Sequence, residues 1–190
     1  DEARAAAGRS LALARRIASR RFAAMDVLIL AYAAHRAGDA AQARALADEG
    51  WAMCVEIGVG FGGPIALGAK ALVAGSAAER RDAIARGEAL LDSGSLSHNH
   101  LWFRRDAIDA SLAAGEADEA LRHAAALERY TAAEPLPWSD FHVARARALA
   151  DALRGRADPS APGGLRERAL ALELPVAHRQ LDEALAAVPR

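Results

Sequence analysis

The chain has 190 residues with 24 basic and 25 acidic side chains, and 53% of its residues are hydrophobic although only 5% are aromatic. Alanine alone fills 52 positions, whereas the residues that favour strands are scarce, and this composition excludes a β-sandwich or β-barrel. The formal net charge of -1 lacks the basic excess of a nucleic-acid-binding protein, so no nucleic-acid partner is expected.

Cysteine content and hydropathy bear on the compartment. The single cysteine, Cys54, lies in an apolar run and has no second cysteine to pair with, which favours the reducing cytoplasm. No apolar run is long enough to span a bilayer, so no membrane partner is expected. Because the sequence begins at Asp1 without a methionine, we expect it to be a piece of a longer protein.

Glycines at a nearly constant spacing set the register of the predicted elements. Four of them follow helix-forming runs and lie 37, 40 and 40 residues apart: Gly38, Gly75, Gly115 and Gly155. Glycine after a helical run is the preferred left-handed cap of a helix C-terminus. Three of the next residues can cap or charge the start of the following helix, namely Asp39, Ser76 and Glu116. Each glycine therefore predicts the tight turn of a helical hairpin.

The stretches between breakers predict ten helices. They lie near residues 2–19, 22–37, 40–57, 64–74, 77–92, 98–114, 117–132, 138–154, 163–172 and 175–187. The predicted fold is all-α, a right-handed α-solenoid of antiparallel helical hairpins with nine or ten helices. It forms one repeat domain over residues 1–190, with units at about 1–21 (partial), 22–58, 62–93, 98–133 and 138–190.

These hairpins resemble the tetratricopeptide repeat (TPR) family. Aligned on Gly115, the third unit places Ile108 and Ala120 at the small or apolar positions of the motif. The first unit, aligned on Gly38, places Ala31 at the same kind of position. The second unit departs, because its turn is about three residues longer, and most of the family's Trp, Tyr and closing Pro residues are missing. The chain is thus described as TPR-like.

A second resemblance rests on unusual stretches in the middle of the chain: Glu88 to Leu91, Ser97 to Ile108, Leu127 to Thr131 and Glu134 to Phe141. They are similar to the C-terminal helical-repeat region of large bacterial signalling proteins. In that family a class III adenylate or guanylate cyclase domain and an ATPase-like module precede a TPR-like tail. The resemblance implies a regulatory tail that carries none of the cyclase's catalytic residues.

In the TPR family the first helix of each hairpin lines a concave groove that holds a partner. Carried over through the glycine register, the resemblance implies a partner-binding groove formed by Tyr32, His35, Arg36, Trp102, Arg105, Asp109, His142 and Arg145. Aromatic, Arg and His side chains are typical of interface hot spots. The alternative is that Tyr32 and Trp102 serve only to pack neighbouring repeats together.

The sequence contains no strong motif for catalysis, cofactor binding or metal binding. Residues 58–63 match the dinucleotide fingerprint GxGxxG, but the motif requires a preceding strand, and an alanine-rich helical segment follows, so we interpret it as a joint between repeats. His98 and His100 stand without an HExxH motif or a cysteine pair. No GxSxG elbow or P-loop occurs. The sequence predicts no catalytic, cofactor-binding or metal-binding residues and no enzymatic activity for this chain.

An arginine cluster near the start of the chain has two interpretations. Arg15, Arg16, Arg20 and Arg21 can contact an acidic partner or a phosphate group, or they can form the charged outer surface of a first helix. The predicted function is a non-catalytic, TPR-like interaction or regulatory module whose partner is a protein, a peptide or another domain of the same chain. The alternative is a small-ligand-sensing domain that controls an attached catalytic or transcription-regulating domain.

Overall fold

A computed structural model describes residues 2–156, 161–174 and 181–182. Its helices are α1 (Glu2–Arg16), α2 (Arg20–Arg36), α3 (Ala40–Ile57), α4 (Gly63–Leu72), α5 (Ala77–Asp92), α6 (Ser97–Ala113), α7 (Ala117–Thr131), α8 (Pro137–Leu153) and α9 (Ala161–Ala171). No strand occurs among the described residues, which confirms the prediction of an all-α chain.

Nine of the ten predicted helices are present, two of them with the predicted bounds and the others with ends displaced by at most three residues. The predicted helix over residues 175–187 lies outside the described residues except for Leu181 and Asp182, which are helical. One boundary prediction was wrong, because α1 ends at Arg16 and does not continue to Ser19. The reason is Ala18, whose φ of 54° is left-handed and stops the helix.

Three of the turns that end helices share one hydrogen-bond pattern. At Gly38, Gly115 and Gly155, φ is 78°, 73° and 69°, so each glycine is left-handed as predicted. In each turn the N–H of the next residue donates to the carbonyl five positions back, as Asp39 does to Ala34 at 3.0 Å. This is the bond that closes a Schellman motif. Asp39 also caps α3 by accepting a hydrogen bond from the N–H of Gln42 at 3.0 Å, which confirms its predicted capping role.

Two further turns use the same pattern without glycine. Ala18 and Glu173 have φ of 54° and 53°, and the residues after them donate to carbonyls five positions back at 2.8 Å in both cases. A search for glycine alone does not find these turns. A left-handed conformation at a residue with a Cβ carries a conformational cost that glycine avoids.

The prediction that Gly75 is a left-handed glycine at the end of a helix is wrong, since its φ is not positive. The connection between α4 and α5 is instead fixed by side chains. Ser76 accepts a hydrogen bond from the N–H of Glu79 at 3.2 Å, and the Glu79 carboxylate accepts one from the N–H of Gly75 at 2.9 Å. This reciprocal arrangement resembles a capping box, and Ser76 caps α5 as predicted.

The chain divides into two compact units, Asp1–Asp106 and Ala107–Arg190, with α6 crossing the boundary. In the first unit, α2 packs against α1, α3 and α4, and α4 also packs against α3 and α5. Short connections make consecutive packed helices antiparallel. Small residues dominate the core of this unit around Leu28 and Ile65, with Ala24, Ala31, Ala47, Cys54, Ala66 and Ala69.

Glycine adds to alanine in bringing these helices together. A Cβ on Gly50 of α3 would lie 2.5 Å from a Leu28 methyl carbon, and a Cβ on Gly87 of α5 would lie 2.1 Å from the Phe103 ring. Both glycines therefore fill positions that a larger residue cannot occupy without moving its neighbour. Close helix packing in this unit therefore depends on glycine inside the helices as well as on alanine.

The second unit packs α8 against α7 and α9. Its core contains Phe141, Leu149, Leu165, Ala169 and Leu181. The α7–α8 connection is tied by Ser139, whose buried hydroxyl lies 3.2 Å from the Thr131 hydroxyl and donates to the Leu136 carbonyl at 2.9 Å. Among the helices described, none is both long enough and apolar enough to cross a membrane.

Candidate functional site

The centre of the candidate site is Asp106, a carboxylate in the first unit whose residue has 0% exposure. The Tyr32 hydroxyl donates to its Oδ2 at 2.5 Å. Arg105 donates to its Oδ1 through Nε at 2.9 Å and through Nη2 at 2.6 Å. Burying a carboxylate is costly unless hydrogen bonds and an opposite charge compensate, and both are present here.

The Arg105 guanidinium lies against two aromatic rings. Its central carbon is 5.2 Å from the centroid of the Tyr32 ring and 4.7 Å from that of Trp102. The two rings themselves are 6.2 Å apart and inclined by 46°. Distances within about 6 Å of a ring centroid are those of cation–π contacts. Arg105 is therefore held by a carboxylate on one side and by aromatic faces on another. We call Tyr32, Trp102, Arg105 and Asp106 the aromatic–arginine cluster.

Helix packing places this cluster. Tyr32 comes from α2, whereas Trp102, Arg105 and Asp106 come from α6. Gly68 on α4 leaves room for the carboxylate, since a Cβ at that position would lie 2.8 Å from Asp106 Oδ2. Tyr32 and Trp102 also pack against the core of the first unit. The cluster thus depends on three helices that are distant in sequence.

The electrostatics keep the Tyr32 hydroxyl protonated. Burial raises its pKa well above the ordinary value of 10.0, and the neighbouring Asp106 carboxylate raises it further, while Arg105 opposes the shift. A protonated phenol is the form that can donate to a carboxylate. Tyr32 is therefore suited to position Asp106 and is unsuited to act as a base near neutral pH.

Three of the groove residues predicted from the TPR resemblance come together in this cluster, namely Tyr32, Trp102 and Arg105. All three are partly exposed, and the Arg105 side chain keeps 15% of its surface accessible. His35 and Arg36 are exposed in the last turn of α2, about one helical turn beyond Tyr32. These five residues lie on the first unit's surface or at its edge, where a partner could reach them.

The remaining predicted groove residues lie in the second unit. Arg145 donates to Asp109 Oδ1 at 2.6 Å, and their side chains are 5% and 16% exposed. His142 is buried, with its ring centroid 4.3 Å from that of Trp138 and 5.3 Å from that of Phe141. The expectation that His142 and Arg145 face a partner needs correction, because aromatic packing and an ion pair enclose them.

Asp106 was missed by sequence reasoning although it organises the cluster. A signal was present: Phe103, Ala107 and Ala110 are buried at helical spacing, and Asp106 lies on the same side of α6. A carboxylate at a position where the helical period predicts an apolar residue indicates a buried ion pair or hydrogen-bond network. The sequence of α6 alone does not show that Tyr32 of α2 is the hydrogen-bond donor to Asp106.

The glycine-rich run at 58–63 connects two helices, α3 and α4, with no strand before it. Asn99 donates through Nδ2 to the carbonyl oxygens of Gly60 at 3.1 Å and Phe61 at 3.2 Å. His98 Nε2 lies 2.8 Å from the carbonyl oxygen of Phe61. A Cβ on Gly63 would lie 2.8 Å from Val59 Cβ. Gly63 therefore serves close packing in a joint between helices, and the strand that a dinucleotide fold requires is missing at this place.

A cleft of about 300 Å³ lies among α3, α4 and α5 of the first unit. Its lining contains three cations and three carboxylates, which form the pairs Arg44–Glu79, Lys70–Asp48 and Arg86–Asp82. Val73, Ala74 and Ala83 supply its apolar surface. Opposite charges in one cleft suit a small ligand that carries charge of both signs.

The described part of the chain offers little for metal binding or nucleophilic chemistry. No three His, Cys, Asp or Glu side chains there are grouped so that they could hold a metal ion. Cys54 is buried on α3, and burial raises the pKa of its thiol to about 11. The reactive thiolate is therefore scarce near neutral pH.

Comparison with known proteins gave no relatives. No protein-family model matches the chain, and no curated protein or solved structure matches it either.

Proposed function

We propose that this chain is a non-catalytic, TPR-like module that binds a protein or peptide, or another domain of its own chain, and acts as a regulatory part of a larger cyclase-type signalling protein in the cytoplasm. The observation that carries the proposal is the aromatic–arginine cluster. It presents Trp102 and Arg105, two residue types enriched at interface hot spots, at partly exposed positions. The helical-hairpin turns and the cyclase-like stretches support the TPR-like and signalling parts of the proposal.

Preorganisation supports a binding role for this cluster. Arg105 is fixed by two hydrogen bonds to Asp106 and by two rings, so little side-chain freedom remains to be lost when a partner binds. Ordering a rotamer-rich side chain at an interface costs roughly 0.5–1.5 kcal/mol. A surface that is already ordered avoids this cost.

The proposal is tested by quantitative affinity capture with the wild type and Trp102→Ala. We expect Trp102→Ala to lose a defined set of partners that the wild type retains. Trp51→Ala is the matched control. Trp51 also packs against the core of the first unit, and the Arg86 guanidinium lies 4.9 Å from the centroid of its ring. Equal loss in both variants, or in neither, would contradict a binding role for the cluster.

A second candidate function is small-ligand sensing, which the cleft among α3, α4 and α5 favours. Its volume of about 300 Å³ lies at the lower end of ligand-binding cavities. Two of its ion pairs, Arg44–Glu79 and Arg86–Asp82, are exposed, and exposed ion pairs are weak because water screens them. A charged ligand can therefore exchange with these pairs at low cost.

Thermal-shift screening separates the two candidates. A metabolite that binds only the folded state raises the melting temperature by mass action. The sensing function predicts a metabolite that stabilises the wild type and leaves the double variant Asp48→Asn, Lys70→Met unchanged. A broad library without any such compound would remove this candidate and leave the protein-binding proposal intact.

A further inference from the structure

The connection between α1 and α2 forms a surface with an unusual combination of charge and apolar exposure. Ile17 and Phe22, on either side of the turn, are each 62% exposed. Four exposed arginines adjoin them in the sequence. We define the basic tip as Arg15, Arg16, Ile17, Arg20, Arg21 and Phe22, and we propose that it docks a protein segment that presents carboxylates around an apolar centre, such as an acidic amphipathic helix. This inference rests on the proposed protein-binding function and specifies one surface and its partner's chemistry.

The charge of this surface differs from that of the chain. Residues 1–22 contain six arginines and two carboxylates, while the whole chain has a net charge of -1. Glu2 lies at the far end of α1, about 21 Å from Arg16 at a rise of 1.5 Å per residue. Its charge is largely screened at that distance under physiological salt. The positive charge is therefore concentrated at the tip end of α1.

Only part of that charge is neutralised within the unit. Arg15 pairs with Glu49 at 3.4 Å and Arg20 pairs with Glu56, and all four side chains are exposed. Neither Arg16 nor Arg21 has a carboxylate partner among the described residues. Arg21 lies with its guanidinium carbon 5.7 Å from the centroid of the Phe61 ring. Two arginines of the tip thus remain available to carboxylates from outside.

The N-terminus of α2 carries the partial positive charge of the helix dipole, which adds to the positive charge of the basic tip. The first turn of α2 contains Arg20 and Arg21 and no acidic residue. Cations at a helix N-terminus are disfavoured by the partial positive charge of the exposed N–H groups. A carboxylate brought by a partner is attracted by both the arginines and the helix end, which makes the tip complementary to an acidic surface.

Two exposed glutamates beside the arginines favour a protein segment over an anionic lipid surface as the partner. Glu49 and Glu56 are 46% and 59% exposed beside the arginines, and a uniformly negative membrane would bring charge against them as well. A folded segment can place its carboxylates at the arginines and avoid these two positions. Its apolar centre would cover Ile17 and Phe22, removing their surface from water.

The test uses a synthetic peptide with Leu on one helical face and Glu on the other, measured by isothermal titration calorimetry. We expect binding to the wild type, and affinity at least about tenfold weaker in the charge-reversal variant Arg16→Glu, Arg21→Glu and in Ile17→Ser, Phe22→Ser. The matched control is Arg129→Glu, Arg168→Glu, which changes the net charge equally at exposed positions in the second unit. Circular dichroism verifies that each variant is folded.

Several outcomes would overturn the proposal. They are absence of binding to the wild type, equal weakening in the control variant, or equal affinity for a peptide with Gln in place of Glu. Preferential binding to vesicles of phosphatidylserine and phosphatidylcholine would assign the tip to a lipid surface and also overturn it. None of these results affects the comparison of Trp102→Ala with Trp51→Ala, because that comparison concerns α6 and α3. Failure of the tip and failure of the proposed function are thus distinguishable.

Discussion

Tyr32 and Asp106 are 74 positions apart in the chain and are joined by a hydrogen bond of 2.5 Å from the tyrosine hydroxyl to the carboxylate. The bond connects α2 to α6 at the place where Arg105 also meets Asp106. Because the carboxylate is fully buried, every partner it has affects the stability of the first unit.

Tyr32→Phe is predicted to destabilise the chain by about 1–3 kcal/mol, because it removes a donor from a buried carboxylate and leaves the ring in place. Urea denaturation measures the change in the free energy of unfolding. The control is Tyr130→Phe, at a residue that is 41% exposed, for which we expect a change within about 0.5 kcal/mol. Equal effects of the two variants would show that the Tyr32 hydroxyl contributes nothing specific.

Gly68→Ala is predicted to destabilise the chain, because the new Cβ would lie 2.8 Å from Asp106 Oδ2 and 3.0 Å from Asp106 Cβ. Overpacking of this kind costs about 1–3 kcal/mol. Gly8→Ala provides the contrast, since nothing lies within 4 Å of its Cβ position in α1. There the higher helix propensity of alanine is expected to stabilise by up to about 1 kcal/mol. A stabilising Gly68→Ala would contradict the close approach of α4 and α6.

Ala18→Gly is predicted to stabilise the chain by about 1 kcal/mol, because Ala18 has a φ of 54° and glycine adopts this conformation without steric cost. Ala37→Gly is the control. Ala37 is an exposed residue of the next turn with a φ of -79°, so glycine gains nothing there and adds freedom to the unfolded chain. The two unfolding free energies should move in opposite directions. A destabilising Ala18→Gly would contradict the left-handed turn.

The pKa of His100 is lowered from 6.5, first because burial penalises its charged form and second because Arg104 repels it. The folded state then binds fewer protons than the unfolded state as pH falls through 6.5. Stability from the neutral imidazole is therefore present above pH 6.5 and is lost as pH falls toward the lowered value.

Thermal unfolding on both sides of pH 6.5 measures this effect. We expect His100→Gln to lose less stability than the wild type when the pH is lowered, because glutamine does not titrate. An identical pH dependence for the two proteins would show that protonation of His100 contributes nothing to the acid sensitivity of the fold.

Local signals made most of the helical arrangement predictable. Glycine after a helical run located the turns at Gly38, Gly115 and Gly155, and Asp39 and Ser76 cap helices as expected. The turn at Ala18 was not predicted, because its conformation is imposed by the packing of α1 on α2 and not by its own residue type. The solenoid arrangement and the partner-binding role stay predictions.

The candidate site was only partly predictable. Trp102, Arg105 and Tyr32 were anticipated through the repeat register, but the burial of Asp106 depends on space left by Gly68 of another helix. The burial of His142 and Arg145 was not predicted for the same reason, because it depends on contacts from other parts of the chain. Whether a helical position faces solvent or a neighbouring ring depends on residues such as Trp138 and Asp109, whose approach is decided by tertiary packing.

Affinity capture with Trp102→Ala and Trp51→Ala tests the central claim most directly. Both variants remove a partly buried tryptophan from the first unit together with its arginine contact. The proposed function predicts that folded Trp102→Ala loses partners that both the wild type and Trp51→Ala retain. Identical sets of partners for all three proteins would contradict the assignment of the aromatic–arginine cluster as a binding surface.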